Sequence, residues 1–446
     1  MKVHKKTSMT EGVIWKEMLL FSIPLLIGNL FQQLYNTVDS FVVGNYVGEE
    51  ALAAVGASTP LSHVIIGLFM GISTGAGILI SRYFGAKKDE ELHDSIHTFI
   101  AFSLIVSVFL TIFGSIMSPI FLGWLKTPAN IMEPATLYLR VYFFGVTGLV
   151  IYNSGAGILR AIGDSRHPLI YLCVSSLINV TLDLLFVIVF DMGILGVAVA
   201  TLIAQMTSAV LVWIHLLRVN DNYQLKMGDI RIHRDKLYEI IRLGIPTGIQ
   251  QTVVSFSNVL VQSYINGFGS AAVAGFSAAD KFNAFLSMPT QSFSLTITTF
   301  TGQNLGAGRK ERIMEGVRTA LVLAVGIVII IGIPTFIYAD KLIGFFSPEP
   351  MVIMYGARML RIMVPFYFAL STTSILSGAL RGAGLTMVPM FIMISCFTVL
   401  RQIFLFIMMR INPTIDWVYW SYSVTWISSM ILTIIYSKAS HWLEKA

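Results

Sequence analysis

Twelve stretches of this chain are apolar for about as long as a bilayer is thick, and no soluble fold has room for that many. They fall near 18–44, 52–81, 95–123, 136–155, 168–190 and 193–217, then near 240–266, 272–303, 317–345, 353–376, 386–410 and 415–437. A helix needs roughly 20 residues to cross a membrane. Lipid offers no partners to backbone groups, so a spanning segment is a helix or part of a closed barrel, and runs this long without alternation predict helices. Composition agrees: 55% hydrophobic and 12% charged residues, with mean hydropathy +0.75, lie outside the soluble range. The expected fold is an all-α membrane protein of twelve transmembrane helices.

The twelve are six written twice. Gly157 to Pro168 reads GILRAIGDSRHP, and Gly378 to Pro389, 221 positions on, reads GALRGAGLTMVP. The same offset carries VGEEALAAV at Val47 onto FGSAAVAGF at Phe268, and GAKK at Gly85 onto GAGR at Gly306. An offset of 222 aligns Ile23-Pro24 with Ile245-Pro246 and Asn36 with Asn258. Six spans per copy start both copies on the same side, which predicts parallel lobes about an axis along the membrane normal, with a site between them. The expected domains are an N-lobe (1–217), a linker (218–236, the longest polar stretch) and a C-lobe (237–446).

Charge sets the orientation. Most of the 30 Lys and Arg residues lie at the termini and in the loops after even-numbered spans, so both termini are expected in the cytoplasm of a cell-membrane protein. The net charge of +6 is thereby spread over many short loops, which argues against a nucleic-acid surface. The first apolar segment is too long for a cleaved leader and ends without a cleavage site. Cys173 and Cys396 both fall inside predicted spans, where packing is the expected role rather than a disulfide or a metal site.

Polar residues inside spans carry the functional signal. Span 1 holds Asn29, Gln32, Gln33, Asn36, Asp39 and Ser40 at spacings of three and four, one stripe down one helix face. Span 7 repeats it with Gln251, Ser255, Asn258 and Gln262. Such amides can simply bond neighbouring helices, but two stripes at matched places favour a cavity shared by the lobes. Charges at the bilayer centre cost at least about 2.5 kcal/mol and are rarer still. At about 1.5 Å per residue from the outer helix ends, Asp39, Asn179, Asp183 and Thr201 all fall at one depth. Two carboxylates, an amide oxygen and a hydroxyl make hard ligands for Na+, or a coupled pair of proton sites, with no Lys or Arg at that level in the first half. In the second half Asp280, Lys281 and Arg401 share a level. An Asp280–Arg401 ion pair is the leading reading there, and substrate binding the other.

Gly71-Ile-Ser-Thr-Gly75 matches a serine-nucleophile pattern in the wrong context. His63 is on the same span and His97 near the end of another, whereas Gly67, Gly71 and Gly75 form a small-residue ladder suited to helix packing. No enzyme activity and no cofactor are expected.

Two six-helix halves, Pro24 fifteen residues before Asp39, the Gly-Ala turns at Gly85 and Gly306, and the Leu-Arg-x-x-Gly segments at Leu159 and Leu380 resemble the multidrug and toxic compound extrusion (MATE) family over nearly the whole chain. The likeness is to prokaryotic members of the DNA-damage-inducible F branch. It implies export of organic, often cationic compounds in exchange for H+ or Na+ by rocker-switch alternating access, with Asp39, Asn179, Asp183 and Thr201 as the coupling site and a helix kink at Pro24. A lipid-linked sugar flippase of the same superfamily is the alternative, and a monomer containing both lobes is sufficient. The Na+-coupled branch with acids on spans 7 and 10 is not matched: Val261 stands opposite Asp39, and span 10 offers only Ser371, Thr372, Thr373 and Ser374. The stripe residues Gln33, Asn36, Gln251, Ser255, Asn258 and Gln262, with Arg401, are the candidate substrate contacts.

Overall fold

The computed structural model describes residues 8–124 and 127–445. The side chains of 40, 49–50, 52–54, 56–66, 130 and 445 lie outside that description, among them Ser40 and His63. Every regular element among the described residues is helical. The first half runs α1 (Ile14–Val42), α2 (Glu49–Ala86), α3 (Asp89–Trp124), α4 (Ala129–Ala161), α5 (Arg166–Leu184) and α6 (Gly193–Arg218). The second runs α7 (Arg234–Asn266), α8 (Ser270–Gly306), α9 (Lys310–Ile337), a short α10 (Ala339–Gly344), α11 (Pro350–Met363), α12 (Tyr367–Gly382), α13 (Met387–Ile394), α14 (Arg401–Ile411), α15 (Ile415–Ala439) and α16 (Trp442–Lys445). With α11–α12 and α13–α14 each counted as one span, twelve long helical runs result, nine of which are long and apolar enough throughout their described residues to cross a membrane. This is an all-α, multi-pass membrane protein in two six-span halves.

α8 is polar for a spanning helix, yet it is buried: Thr290, Ser292, Ser294, Thr296, Thr298, Thr299 and Thr301 are all nearly inaccessible. Several of its hydroxyls turn back on their own helix, as in Ser292 to the Met288 carbonyl (2.9 Å) and Thr296 to the Ser292 carbonyl (2.8 Å), while Ser294 reaches the Ser374 carbonyl of α12 (2.7 Å). That spares them an unpaired donor in an apolar setting.

The duplication is visible in the backbone. Gly163 and Gly384 follow α4 and α12 with φ of 97° and 86°, a conformation that costs a side chain dearly. Beyond each, a six-residue bond closes the helix end, from Asp164 N–H to the Leu159 carbonyl (2.8 Å) and from Leu385 N–H to the Leu380 carbonyl (2.9 Å). Gly48 and Gly269 repeat in the same way before α2 and α8, with φ of 117° and 92°. Packing repeats too. A Cβ on Gly157 of α4 would meet Ser73 Oγ of α2 at 3.0 Å, and one on Gly378 of α12 would meet Ser294 of α8, carbonyl 2.6 Å and hydroxyl 3.1 Å away. The Gly71–Gly75 ladder does pack: a Cβ on Gly75 would lie 2.5 Å from Gly244 N of α7.

Compact units change over at two prolines, Pro24 and Pro246. One takes residues 24–245, the other 9–23 and 246–446. Local bonds show why. The linker is fastened to α3 by Lys226 N–H to His97 Nε2 (3.0 Å) and His233 N–H to Thr98 Oγ1 (3.1 Å). Residues before Pro24 are fastened to the second unit by Met9 N–H to Gln303 Oε1 (3.0 Å), Asn304 Nδ2 to the Met9 carbonyl (3.2 Å) and Arg312 to the Glu11 carbonyl (2.8 Å). α1 is helical through Pro24, where the missing N–H removes one rung of the ladder.

Candidate functional site

In the first unit, α1 and α5 bring the carboxyl groups of Asp39 and Asp183 next to each other. Each acid lies within about a turn of a π-helical segment, Val43–Val47 beyond Asp39 and Leu185–Val189 beyond Asp183, a local widening that concentrates at functional sites. Asn179, one turn before Asp183 on the same face of α5, donates from Nδ2 to Thr201 Oγ1 of α6 (3.4 Å). Asn179 and Asp183 are 0% and Thr201 5% exposed. The four residues that the sequence places at one depth thus form one cluster, buried except for the half-buried Asp39.

Its electrostatics are lopsided. Both oxygens of Asp183, Asn179 Oδ1 and Asp39 Oδ1 are buried without a hydrogen-bond donor, and neither carboxyl group has a basic neighbour among the described residues. Buried acceptors are normally satisfied. A proton or a small hard cation at these acceptors would relieve the repulsion and supply what the oxygens lack.

Tyr35 and Tyr138 lie near enough to the pair to feel its charge, with Tyr142 beside them. Sequence reasoning missed them. Tyr35 is one turn before Asp39, and Tyr138 and Tyr142 share a face of α4 with rings 6.4 Å apart. The i, i+4 spacing is legible, but the rotation of α4 is not. It follows from Gly145 and Gly148, where a Cβ would meet Gln205 Oε1 of α6 at 2.6 Å and the Gln205 backbone at 2.8 Å.

The second unit holds the opposite charge. Arg401, 1% exposed, follows a third π-helical segment, Ser395–Leu400. The expected Asp280–Arg401 ion pair is not formed. Arg401 donates instead to Asn258 Oδ1 (2.8 Å) and Thr425 Oγ1 (3.4 Å), and its guanidinium lies 4.5 Å from the ring centre of Tyr422 and 5.5 Å from that of Phe397. An amide oxygen, a hydroxyl and two aromatic faces disperse its charge without a carboxylate. Asp280 stays exposed, while the Lys281 ammonium lies 4.7 Å from the Phe346 ring centre.

On α7, Gln251, Ser255 and Asn258 are exposed and Gln262 bonds Asn266 (3.0 Å), while their neighbours Gln250 and Ser257 turn inward to Met393 Sδ (2.7 Å) and the Phe397 carbonyl (2.5 Å). On α1, Gln33 is half-buried and Asn36 exposed. Of the seven candidate substrate contacts, the fold joins Asn258 with Arg401 directly.

The family model MatE matches residues 24–185 and again 246–407. The chain belongs to the MatE family. Both matches start on a dividing proline and run the same length, each covering the first five spans of its half. MatE proteins are membrane transporters, not enzymes. This MatE chain is 29% identical to the probable multidrug resistance protein YoeA of Bacillus subtilis over 84% of its own length and 83% of that protein's. It is 27% identical to the probable multidrug resistance protein NorM of Thermotoga maritima, covering 85% and 82%. Its fold is that of a MOP superfamily transporter from Pyrococcus furiosus, with TM-score 0.93, 24% identity and full coverage of both chains.

Proposed function

We propose that this chain is a secondary active exporter of organic, cationic or amphipathic compounds, driven by inward movement of H+ or Na+ through rocker-switch alternating access. The observation that carries the reading is the buried Asp39–Asp183 contact, whose oxygens lack donors and whose charge lacks a counter-ion. Two ionised carboxylates about 4 Å apart at an effective dielectric of about 20 repel by about 4 kcal/mol. A proton or Na+ entering between them removes that cost, so the site exists in two states of very different energy, as a coupled carrier requires. Asn179 Oδ1 and Thr201 Oγ1 complete an oxygen shell for Na+, and the tyrosine hydroxyls suit a proton. α1 links this site to Pro24, whose missing N–H makes the helix easiest to bend where the compact units divide.

Relatives named for multidrug resistance support organic compounds as cargo. In this reading Gln33 and Asn36, and Gln251, Ser255, Asn258 and Gln262 with Arg401, contact the cargo. The protein works as a monomer in the cytoplasmic membrane with both termini in the cytoplasm. Reconstitution into proteoliposomes, with pH and Na+ gradients imposed one at a time, tests this. Efflux of a fluorescent organic cation should follow one gradient and vanish in Asp39→Asn. Efflux indifferent to both gradients, or unchanged in the variant, overturns the proposal.

A further inference from the structure

A second cluster lies at the opposite ends of the two helices that carry Asp183 and Thr201. Asp164 sits in the turn before α5, His167 in its first turn, and His215 in the last turn of α6. One ligand atom from each lies within 4.8 Å of the others. We propose that Asp164, His167 and His215 form a binding site for a borderline divalent metal of the Zn2+ class.

The geometry suits that ion in three ways. Two imidazoles and a carboxylate are a standard open Zn2+ set, and bonds of about 2.0–2.1 Å put tetrahedral ligand atoms about 3.3 Å apart. The carboxylate is also pre-set. Asp164 Oδ1 accepts from the backbone N–H of Arg166 (3.1 Å) and of His167 (3.2 Å), while Oδ2 faces His167 Nδ1. Finally, His215 is oriented from behind. Its Nδ1 pairs with Tyr171 Oη (2.7 Å), so with Nδ1–H donating, Nε2 presents a lone pair, which is how outer partners commonly orient a metal-bound histidine. The His167 and His215 ring centres are 4.5 Å apart, and Tyr223 of the linker lies beside Asp164 and Tyr171.

A second trio, His93, His97 and Asp229, also brings three ligand atoms within 4.8 Å, but its hydrogen bonds argue against a metal. His97 Nδ1 donates to the His93 carbonyl (2.7 Å) and Nε2 accepts the Lys226 N–H (3.0 Å). Both nitrogens hold backbone, and a metal would have to detach the linker. It therefore serves as the control.

The test uses the full chain purified in detergent, freed of its affinity tag and stripped with chelator. Co2+ is titrated with the visible absorption of tetrahedral cobalt as readout, and Zn2+ is then added to displace it. One equivalent should bind, and His167→Gln should weaken binding at least tenfold. Tyr171→Phe should weaken it roughly 10–100-fold as an outer-shell partner, and His93→Gln should leave it unchanged. His167 is exposed, so its replacement leaves folding intact, to be confirmed by gel filtration and melting. No stoichiometric binding, binding that survives His167→Gln, or binding lost in His93→Gln instead overturns the proposal.

Discussion

Asp183→Asn separates coupling from cargo binding most cleanly. The substitution keeps the volume of a side chain that is 0% exposed and removes one negative charge from a contact with no counter-ion. Both Asp183 oxygens lack donors, so the new amide can donate to Asp39. That bond is worth about 1 kcal/mol and keeps the cluster folded. The coupling ion loses more. One opposite charge at about 4 Å and an effective dielectric of about 20 is worth about 4 kcal/mol, and each 1.4 kcal/mol is tenfold, so affinity for the ion should fall about a thousandfold. Efflux in proteoliposomes should then stop responding to the driving gradient, while equilibrium binding of the fluorescent cation by the detergent-solubilised protein stays within a few-fold of wild type. Gradient-driven efflux at the wild-type rate would refute the reasoning, because the surviving carboxylate would then suffice. Loss of cargo binding with unaltered ion affinity would refute it from the other side.

Other changes probe the scaffold and the second unit. Gly382→Ala would put a Cβ 2.4 Å from the Thr298 carbonyl, a backbone atom that cannot step aside; a loss of about 1–3 kcal/mol should appear as a lowered melting temperature. Arg401→Leu should leave stability level or raised, because no carboxylate is stranded by removing the guanidinium. A drop equivalent to about 3–5 kcal/mol would instead reveal a buried anionic partner. Asp164 has its folded-state pKa depressed, so its stabilising contribution is complete above its unfolded value near 3.9 and is lost as pH falls through the lower folded value. Asp164→Asn should therefore destabilise the protein at neutral pH and flatten the loss of stability below about pH 4, read by melting against pH.

Much of this molecule was legible without coordinates because its causes are local. Apolar length alone makes a bilayer helix, and a residue that must adopt positive φ announces itself as Gly. The 221-residue repeat therefore reappears in the backbone at Gly48 and Gly269 and at Gly163 and Gly384. Depth was countable from helix ends, so Asp39, Asn179, Asp183 and Thr201 could be grouped from the sequence. The Asp280–Arg401 pair failed on the same evidence: equal depth says nothing about which way a helix is turned, and Arg401 faces Asn258, Thr425 and Tyr422.

The sequence by itself determined an all-α membrane protein built from two copies of a six-span unit, because hydropathy and glycine act on the residues that carry them. Tertiary structure alone decided that the copies hold opposite charge, one a carboxyl pair among tyrosines and the other a guanidinium on an aromatic ring. It also decided that the compact units divide at Pro24 and Pro246. The physical reason is rotational. Which side chains meet depends on how helices turn against one another, and that is settled by close approaches such as Gly148 on Gln205, where the glycine and the surface it meets lie far apart along the chain.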